Sequence, residues 1–142
     1  MNQPTVICLE LPAEHRFLNI AAACIEALLE RINDVSDRGM VSYGLQLAVQ
    51  ETCANIVDHA YRDQEGGRIR LEFALHADPR RLEIHVYDSG RPFDPSRVRE
   101  PDLEHAQERG YGLFLMRKLM DVVTYERQDE RNHWRLVKNL PS

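Results

Sequence analysis

One amphipathic segment, residues 42–62 (SYGLQLAVQETCANIVDHAYR), constrains the fold more than any other part of the chain. Its apolar residues recur every three to four positions, which predicts a helix with one face packed on a core. That face consists of Leu45, Val49, Cys53, Ile56, Val57 and Ala60. This helix is therefore expected to be the central element of the fold.

The opposite face of the predicted helix carries a set of polar residues. Glu51 and Asn55 are four positions apart, so their side chains point the same way, with Asp58 and His59 nearby. Small residues leave room for another group to approach this face: Gly44, Ala48 and Ala54. A Glu/Asn pair is most often only a solvated surface, and a histidine such as His59 is more often structural than catalytic. The pair becomes informative only together with other motifs.

Length and composition exclude several classes of protein. The 142 residues fit one domain, residues 1–142, with a sizeable core. A net charge of −5 gives no basic excess that would favour nucleic acid as a partner. No apolar run is long enough to cross a membrane, and the N-terminal stretch lacks a signal-peptide pattern, so we expect a cytoplasmic protein. Three cysteines in apolar contexts are expected to be reduced and buried: Cys8, Cys24 and Cys53.

The remaining periodic segments predict five strands and two further helices. The predicted strands are residues 5–11, 68–76, 81–88, 122–127 and 133–139. The further helices are residues 14–33 and 113–120. A polar turn at residues 128–132 joins the last two strands. This order predicts an α+β sandwich, with one mixed or mostly antiparallel sheet and the helices on one face.

An aspartate falls on the core face of the third predicted strand. The alternation that points Ile84 and Val86 inward places Asp88 inward as well, just before Ser89 and Gly90. A buried carboxylate is costly unless a donor pairs with it. An aspartate before Ser-Gly also commonly organises a turn, so the residues alone leave both roles open.

Two stretches around the third predicted helix have the composition of a ligand-binding loop. Residues 91–109 have no hydrophobic period and contain three prolines, which indicates either a lid over a site or a plain surface loop. Gly110 and Gly112 then open the helix, where free backbone N–H groups and the helix dipole favour an anion. A flexible entry into the helix is the alternative explanation for the glycines.

Together and in this order, the motifs resemble one family. ETCANIVDHAY resembles the N-box of the gyrase, heat-shock-chaperone and histidine-kinase type of ATPase, DSGRPFDP its first glycine box and ERGYGLFLM its second. The form E-x-x-x-N-x-x-x-H-A-Y, followed by D-x-G-x-x-F-D-P and R-G-x-G-L-x-L, is most similar to the anti-sigma-factor serine kinases of bacterial partner switching. The resemblance covers nearly the whole chain and implies a Bergerat-type ATP-binding sandwich.

The resemblance implies roles for residues that match the family's motifs. Asn55 would help to hold Mg²⁺, which bridges the phosphates of ATP, and Glu51 would act as the base toward the attacking hydroxyl. Asp88 would accept the exocyclic amine of adenine. Four other positions are implied in nucleotide contacts, near the base or the phosphates: Gly90, Arg109, Gly110 and Gly112.

Two departures from the family pattern affect details of these contacts. Pro92 follows Arg91 where many relatives carry a second glycine, which stiffens the loop near the base. The second box is short, with Tyr111 between its two glycines, so closure over the phosphates is expected to differ.

The resemblance implies an ATP-dependent serine kinase that phosphorylates a small STAS-domain antagonist and sequesters a regulator, a sigma factor in the best-known systems. A homodimer is also implied, and neither nucleic acid nor membrane is an expected partner. The main alternative is a nucleotide-gated protein-binding module without significant kinase activity, which would not need Glu51. A third reading, a free-standing part of histidine-kinase machinery, predicts phosphohistidine on a partner.

Overall fold

A computed structural model describes residues 3–94 and 112–141 of the chain. Three α-helices occur in the described residues: α1 (Leu18–Glu30), α2 (Arg38–Asn55) and α3 (Gly112–Leu119). The strands are β1 (Thr5–Pro12), β2 (Arg68–Ala77), β3 (Arg80–Asp88), β4 (Val122–Gln128) and β5 (Arg131–Asn139). A 3₁₀ turn, His15–Phe17, leads into α1, and a π-helical turn, Ile56–Ala60, extends α2.

The strands form one sheet in the order β1-β2-β3-β5-β4, and every neighbouring pair is antiparallel. Alternate residues of β2, β3 and β5 are buried with α1, α2 and α3 in one hydrophobic core. Phe73, Ile84 and Leu136 are typical of the sheet side of this core, and Leu45 and Met116 of the helix side. The predicted α+β sandwich with helices on one face is confirmed.

Two helices differ from their predicted bounds at their ends. Helix α1 is shorter than residues 14–33, because a 3₁₀ turn precedes it and Asp34 adopts a left-handed backbone conformation with a φ of 58°. Helix α2 begins at Arg38, four residues before the predicted start at residue 42. Its first turn includes the exposed Gly39 and Met40, so most of that turn does not continue the pattern of buried apolar residues from which the helix was predicted.

The predicted turn at residues 128–132 was too long. Only Asp129 and Glu130 form the turn, both with a positive φ, at 55° and 62°, which suits a tight two-residue hairpin. Asn132 lies within β5 and is buried, because its side chain is hydrogen-bonded inside the protein. Polar composition alone had suggested a loop here.

The expectation that all three cysteines are buried is confirmed for Cys53, is only partly met by Cys24 and was wrong for Cys8. Cys8 is exposed on β1, Cys24 is half-buried, and Cys53 is fully buried. Strand β1 lies at the edge of the sheet and Cys8 points away from the helices, so its apolar neighbours in the sequence do not cover it. In the part of the chain that the structure describes, no helix is both long and apolar enough to span a membrane.

Candidate functional site

The end of α2 places the two polar residues of the predicted N-box side by side. Helix α2 ends at Asn55, and the backbone then widens into the π-helical turn Ile56–Ala60. Such π turns are frequent at functional sites because they redirect side chains. Glu51 and Asn55 are both half-buried, one helical turn apart. Within the described residues, no hydrogen bond engages the side-chain amide of Asn55.

The Glu51 carboxylate lies against the first residue of α3. The space that a β-carbon on Gly112 would need is occupied by the carboxylate of Glu51, so glycine is required for this close approach. The carboxylate therefore sits at a helix N-terminus, where a negative charge is favoured. Burial raises the pKa of the Glu51 carboxyl. The predicted N-box and the predicted second glycine box, which are far apart in the sequence, are thus in contact.

Asp88 has one satisfied and one unsatisfied carboxylate oxygen. Its Oδ1 accepts hydrogen bonds from the Gly90 backbone N–H (2.9 Å) and from Asn132 Nδ2 (2.8 Å). Its Oδ2 is buried and has no hydrogen-bond partner among the residues that the structure describes. Burial raises the pKa of Asp88, and the two hydrogen bonds on Oδ1 partly oppose that rise. A buried acceptor without a donor is costly, and the amine of an adenine ring would supply the missing hydrogen bond.

Asn132 is a functional candidate that the sequence analysis missed. It lies directly opposite Asp88 in the β3–β5 ladder. Its Nδ2 donates to Asp88 Oδ1 and to the Arg91 carbonyl oxygen, both at 2.8 Å. Its Oδ1 accepts from the Tyr125 hydroxyl and from the Arg127 guanidinium. The alternation of Trp134 and Leu136, extended two residues back, would have placed Asn132 on the core face.

We expect Asn132→Ala to weaken ATP binding, because Asp88 loses the donor that fixes its orientation. Loss of that donor should also raise the pKa of Asp88 further, so affinity should begin to fall at a higher pH than in the wild type. A loss of about tenfold corresponds to one hydrogen bond of roughly 1.4 kcal/mol. Calorimetric titration with ATP as a function of pH measures both effects.

Asn139→Ala is the matched control, because Asn139 is exposed at the far end of the same strand. Equal affinities and pH profiles in the Asn132→Ala and Asn139→Ala variants would contradict a positioning role for Asn132.

The loop after Asp88 is fixed to the end of the π-helical turn. A β-carbon on Gly90 would overlap the backbone carbonyl of Ala60, and the Arg91 N–H donates to that same carbonyl at 2.7 Å. The Tyr61 hydroxyl accepts a hydrogen bond from the Ser89 N–H at 2.8 Å. The glycine is therefore required by packing between the first glycine box and the N-box. A contact between Gly90 and the base stays a prediction.

The first residues of the predicted lid are anchored by aromatic side chains. The Phe93 N–H donates to the Tyr125 hydroxyl at 2.9 Å, and the Phe93 ring lies edge-on to Tyr125 and Trp134 at 5.4 and 4.9 Å between centroids. Arg127 also donates to the Gly90 carbonyl oxygen at 2.9 Å. Residues 95–109 of the predicted lid, including Arg109, lie outside the described residues, as does Gly110.

We expect Gly112→Ala to displace the Glu51 carboxylate and to reduce phosphoryl transfer much more than the affinity for ATP. The added methyl group takes the space that the carboxylate now fills, and the flexible Glu51 side chain moves rather than the backbone. Gly39→Ala is the control, since a β-carbon there meets open space in the same kind of secondary structure. Equal transfer rates in the two variants would show that the Glu51–Gly112 contact has no functional role.

In the described residues no group of three or more His, Cys, Asp or Glu side chains could hold a metal ion. This is compatible with Mg²⁺, which usually needs only one or two protein ligands when phosphates and waters complete its shell. Asn55, one helical turn from Glu51, would supply an amide oxygen of the type that Mg²⁺ binds.

Comparison with known proteins gives a consistent result. A model of the histidine kinase-like ATPase domain family matches residues 11–138. The serine-protein kinase RsbW of Halalkalibacterium halodurans is 34% identical over 135 residues, covering 87% of this chain and 76% of its own length. The serine-protein kinase RsbW of Bacillus subtilis is 30% identical over 130 residues, covering 86% of this chain and 78% of its own.

Solved structures share the fold at lower sequence identity. The crystal structure of the RsbU and RsbW domains of Rv1364c from Mycobacterium tuberculosis superposes with a TM-score of 0.69 at 18% identity, over 96% of this chain and 32% of that one. The blue-light activated histidine kinase EL346 of Erythrobacter litoralis superposes with a TM-score of 0.57 at 19% identity, over 92% of this chain and 42% of that one. The match to the family model and the identity with the two RsbW proteins show which family this is. The chain belongs to the histidine kinase-like ATPases and, within them, to the RsbW family of serine-protein kinases.

Proposed function

We propose that this chain is an ATP-dependent serine kinase that phosphorylates a small STAS-domain protein and, in its other state, sequesters a transcription regulator such as a sigma factor. The observation that carries the proposal is the Glu51 carboxylate, half-buried, one turn from Asn55 and in contact with Gly112 at the start of α3. A module that only bound nucleotide would have no use for a base at this position.

The adenine base and the phosphates of ATP are assigned to opposite ends of the site. Asp88 Oδ2 accepts the exocyclic amine of adenine, which fits its burial and its lack of a donor among the described residues. By the family resemblance, Gly110 and Gly112 would bind the phosphates at the start of α3, and Arg109 would supply a positive charge to them. Asn55 would help to hold Mg²⁺, which would neutralise phosphate charge.

Phosphoryl transfer requires little covalent chemistry from the protein. The hydroxyl oxygen of the substrate serine forms a bond to the γ-phosphorus, the bond to the β–γ bridging oxygen breaks, and ADP leaves. The hydroxyl proton passes to Glu51, whose carboxylate must lie within hydrogen-bond reach of the serine. The raised pKa of Glu51 makes it a better proton acceptor than an exposed glutamate.

The chain acts on a separate protein, forms a homodimer and works in the cytoplasm. Binding of either the STAS-domain substrate or the sequestered regulator makes the chain unavailable to the other, so phosphorylation of the substrate works as a switch.

An extract of the chain's own host, incubated with purified protein and γ-labelled Mg-ATP, tests this function. We expect one labelled band of the size of a STAS domain, absent when Glu51→Gln replaces the wild type. If both proteins bind ATP equally and neither labels a partner, the chain is a nucleotide-gated binding module and the kinase assignment is wrong.

A further inference from the structure

The hydroxyl of Tyr125 lies in the middle of a chain of hydrogen bonds that ends on Asp88. It accepts from the Phe93 backbone N–H at 2.9 Å and donates to Asn132 Oδ1. The Nδ2 group of Asn132 in turn donates to Asp88 Oδ1 at 2.8 Å. Three hydrogen bonds therefore connect the backbone of the first glycine box at Phe93 with the carboxylate that begins this box and is assigned to adenine.

Every hydrogen bond of this chain is donated toward the carboxylate. The Tyr125 hydroxyl cannot give its proton to the Phe93 N–H, which is itself a donor, so the proton goes to Asn132. Successive hydrogen bonds that run in one direction polarise one another, and a negative charge at the end favours all of them. The chain of hydrogen bonds therefore stabilises the charged form of Asp88.

The orientation of the Asn132 side-chain amide is fixed by its partners on both sides. Arg127 Nη1 lies 2.9 Å from Asn132 Oδ1, and because a guanidinium only donates, the atom that faces it must be the oxygen. On the other side, the Arg91 carbonyl and the Asp88 carboxylate only accept, so Nδ2 faces them. Asp88 Oδ1 therefore receives the amide donor as well as the Gly90 N–H, which leaves Oδ2 for a base.

The ring of Tyr125 is held by packing that does not involve its hydroxyl. The residue is half-buried against the hydrophobic core, and its ring centroid lies 5.4 Å from that of Phe93 and 4.8 Å from that of Trp134. Aromatic pairs at such distances stabilise one another whether or not a hydroxyl is present. Phenylalanine at this position should therefore keep the packing and lose only the two hydrogen bonds of the hydroxyl.

We infer that Tyr125 is a positioning residue for nucleotide binding, whose hydroxyl holds Asp88, through Asn132, in the orientation that selects a purine with an exocyclic amine. The inference rests on the proposed binding of adenine at Asp88 and adds a residue that acts through Asn132 and not by contact with the base. The same hydroxyl fixes the backbone at Phe93, so the loop and the carboxylate depend on one group. Tyr125 thus controls the preference for the base and not the binding of the phosphates.

Calorimetric titration of Tyr125→Phe with ATP and with inosine triphosphate tests this role. We expect the affinity for ATP to fall about five- to tenfold, the usual effect of losing one hydrogen bond. Inosine triphosphate offers no amine to Asp88, so its affinity should change by less than about twofold. Tyr87→Phe is the matched control, because Tyr87 precedes Asp88 in β3 and its ring lies on the opposite face of the sheet, against His133.

A double variant with Asn132→Ala separates this role from a purely structural one. If Tyr125 acts through Asn132, most of the loss caused by Tyr125→Phe should disappear when residue 132 is already alanine. A selective loss of ATP affinity that depends on Asn132 supports the inference. Equal losses for the two nucleotides, equal ATP affinities in Tyr125→Phe and Tyr87→Phe, or fully additive losses in the double variant overturn it.

The same titrations distinguish a failure of this inference from a failure of the proposed function. Asp88→Asn is titrated in parallel, and a loss of ATP affinity in that variant with none in Tyr125→Phe overturns the role of Tyr125 while the base assignment stands. Only nucleotide binding is measured, so a wild-type protein that labels no partner counts against the kinase assignment alone.

Discussion

Asp88→Asn is expected to weaken ATP binding by roughly 30- to 150-fold, from loss of a charged hydrogen bond of about 2–3 kcal/mol. Two donors, the Gly90 N–H and Asn132 Nδ2, hold Oδ1 of Asp88. The amide oxygen of the new asparagine should therefore keep that place, and its NH₂ group should replace Oδ2. A donor would then face the amine of adenine. Calorimetric titration with ATP measures the loss.

The same substitution should change which base the site prefers. Inosine triphosphate carries a carbonyl oxygen where ATP has its amine, so it should bind the variant better than ATP does, while the wild type should prefer ATP. Circular dichroism confirms that the variant is folded. Unchanged ATP affinity in a folded Asp88→Asn protein, with no shift toward inosine triphosphate, would contradict the assignment of Asp88 to the base.

Glu51→Gln is expected to retain ATP binding and to lose about 10²–10⁴-fold in the rate of phosphoryl transfer, the usual contribution of a general base. The substitution preserves the size of the side chain that packs against Gly112, so the structure of the site should persist. Rapid-quench measurement of transfer at saturating ATP, with nucleotide affinity measured in parallel, separates the two effects. Undiminished transfer would remove Glu51 from the role of base.

The pH dependence follows from the direction of the Glu51 pKa. Only the ionised carboxylate accepts a proton, so the transfer rate falls as the pH approaches the pKa from above. Because burial raises that pKa, the fall should occur at a higher pH than for an ordinary glutamate. The residual transfer rate of Glu51→Gln should not show this fall toward acidic pH.

The residues that the sequence placed correctly are those controlled by local periodicity. The period-2 alternation of β3 predicted that Asp88 is buried, and the four-residue spacing predicted that Glu51 and Asn55 share a helix face. Both patterns depend only on neighbours in the chain. The family motifs then gave the order of elements from which the fold could be inferred.

What the sequence did not reveal depends on contacts between distant segments. Asn132 was assigned to a turn because it is polar, yet it is buried opposite Asp88 through pairing of β3 with β5. The contact between Glu51 and Gly112 joins residues on different helices, so no local pattern reports it. The apolar neighbours of Cys8 in the sequence predict that it is buried, but it is exposed because β1 is an edge strand of the sheet.

The chemical identity of the phosphorylated atom tests the central claim most directly. The partner labelled by wild-type protein and Mg-ATP is treated with acid and then examined by phosphopeptide mass spectrometry. We predict an acid-stable phosphate on one serine of a STAS domain, formed by the wild type and not by Glu51→Gln. Acid-labile phosphate on a histidine, or equal labelling by the two proteins, would contradict the assignment of this chain as a serine kinase that uses Glu51.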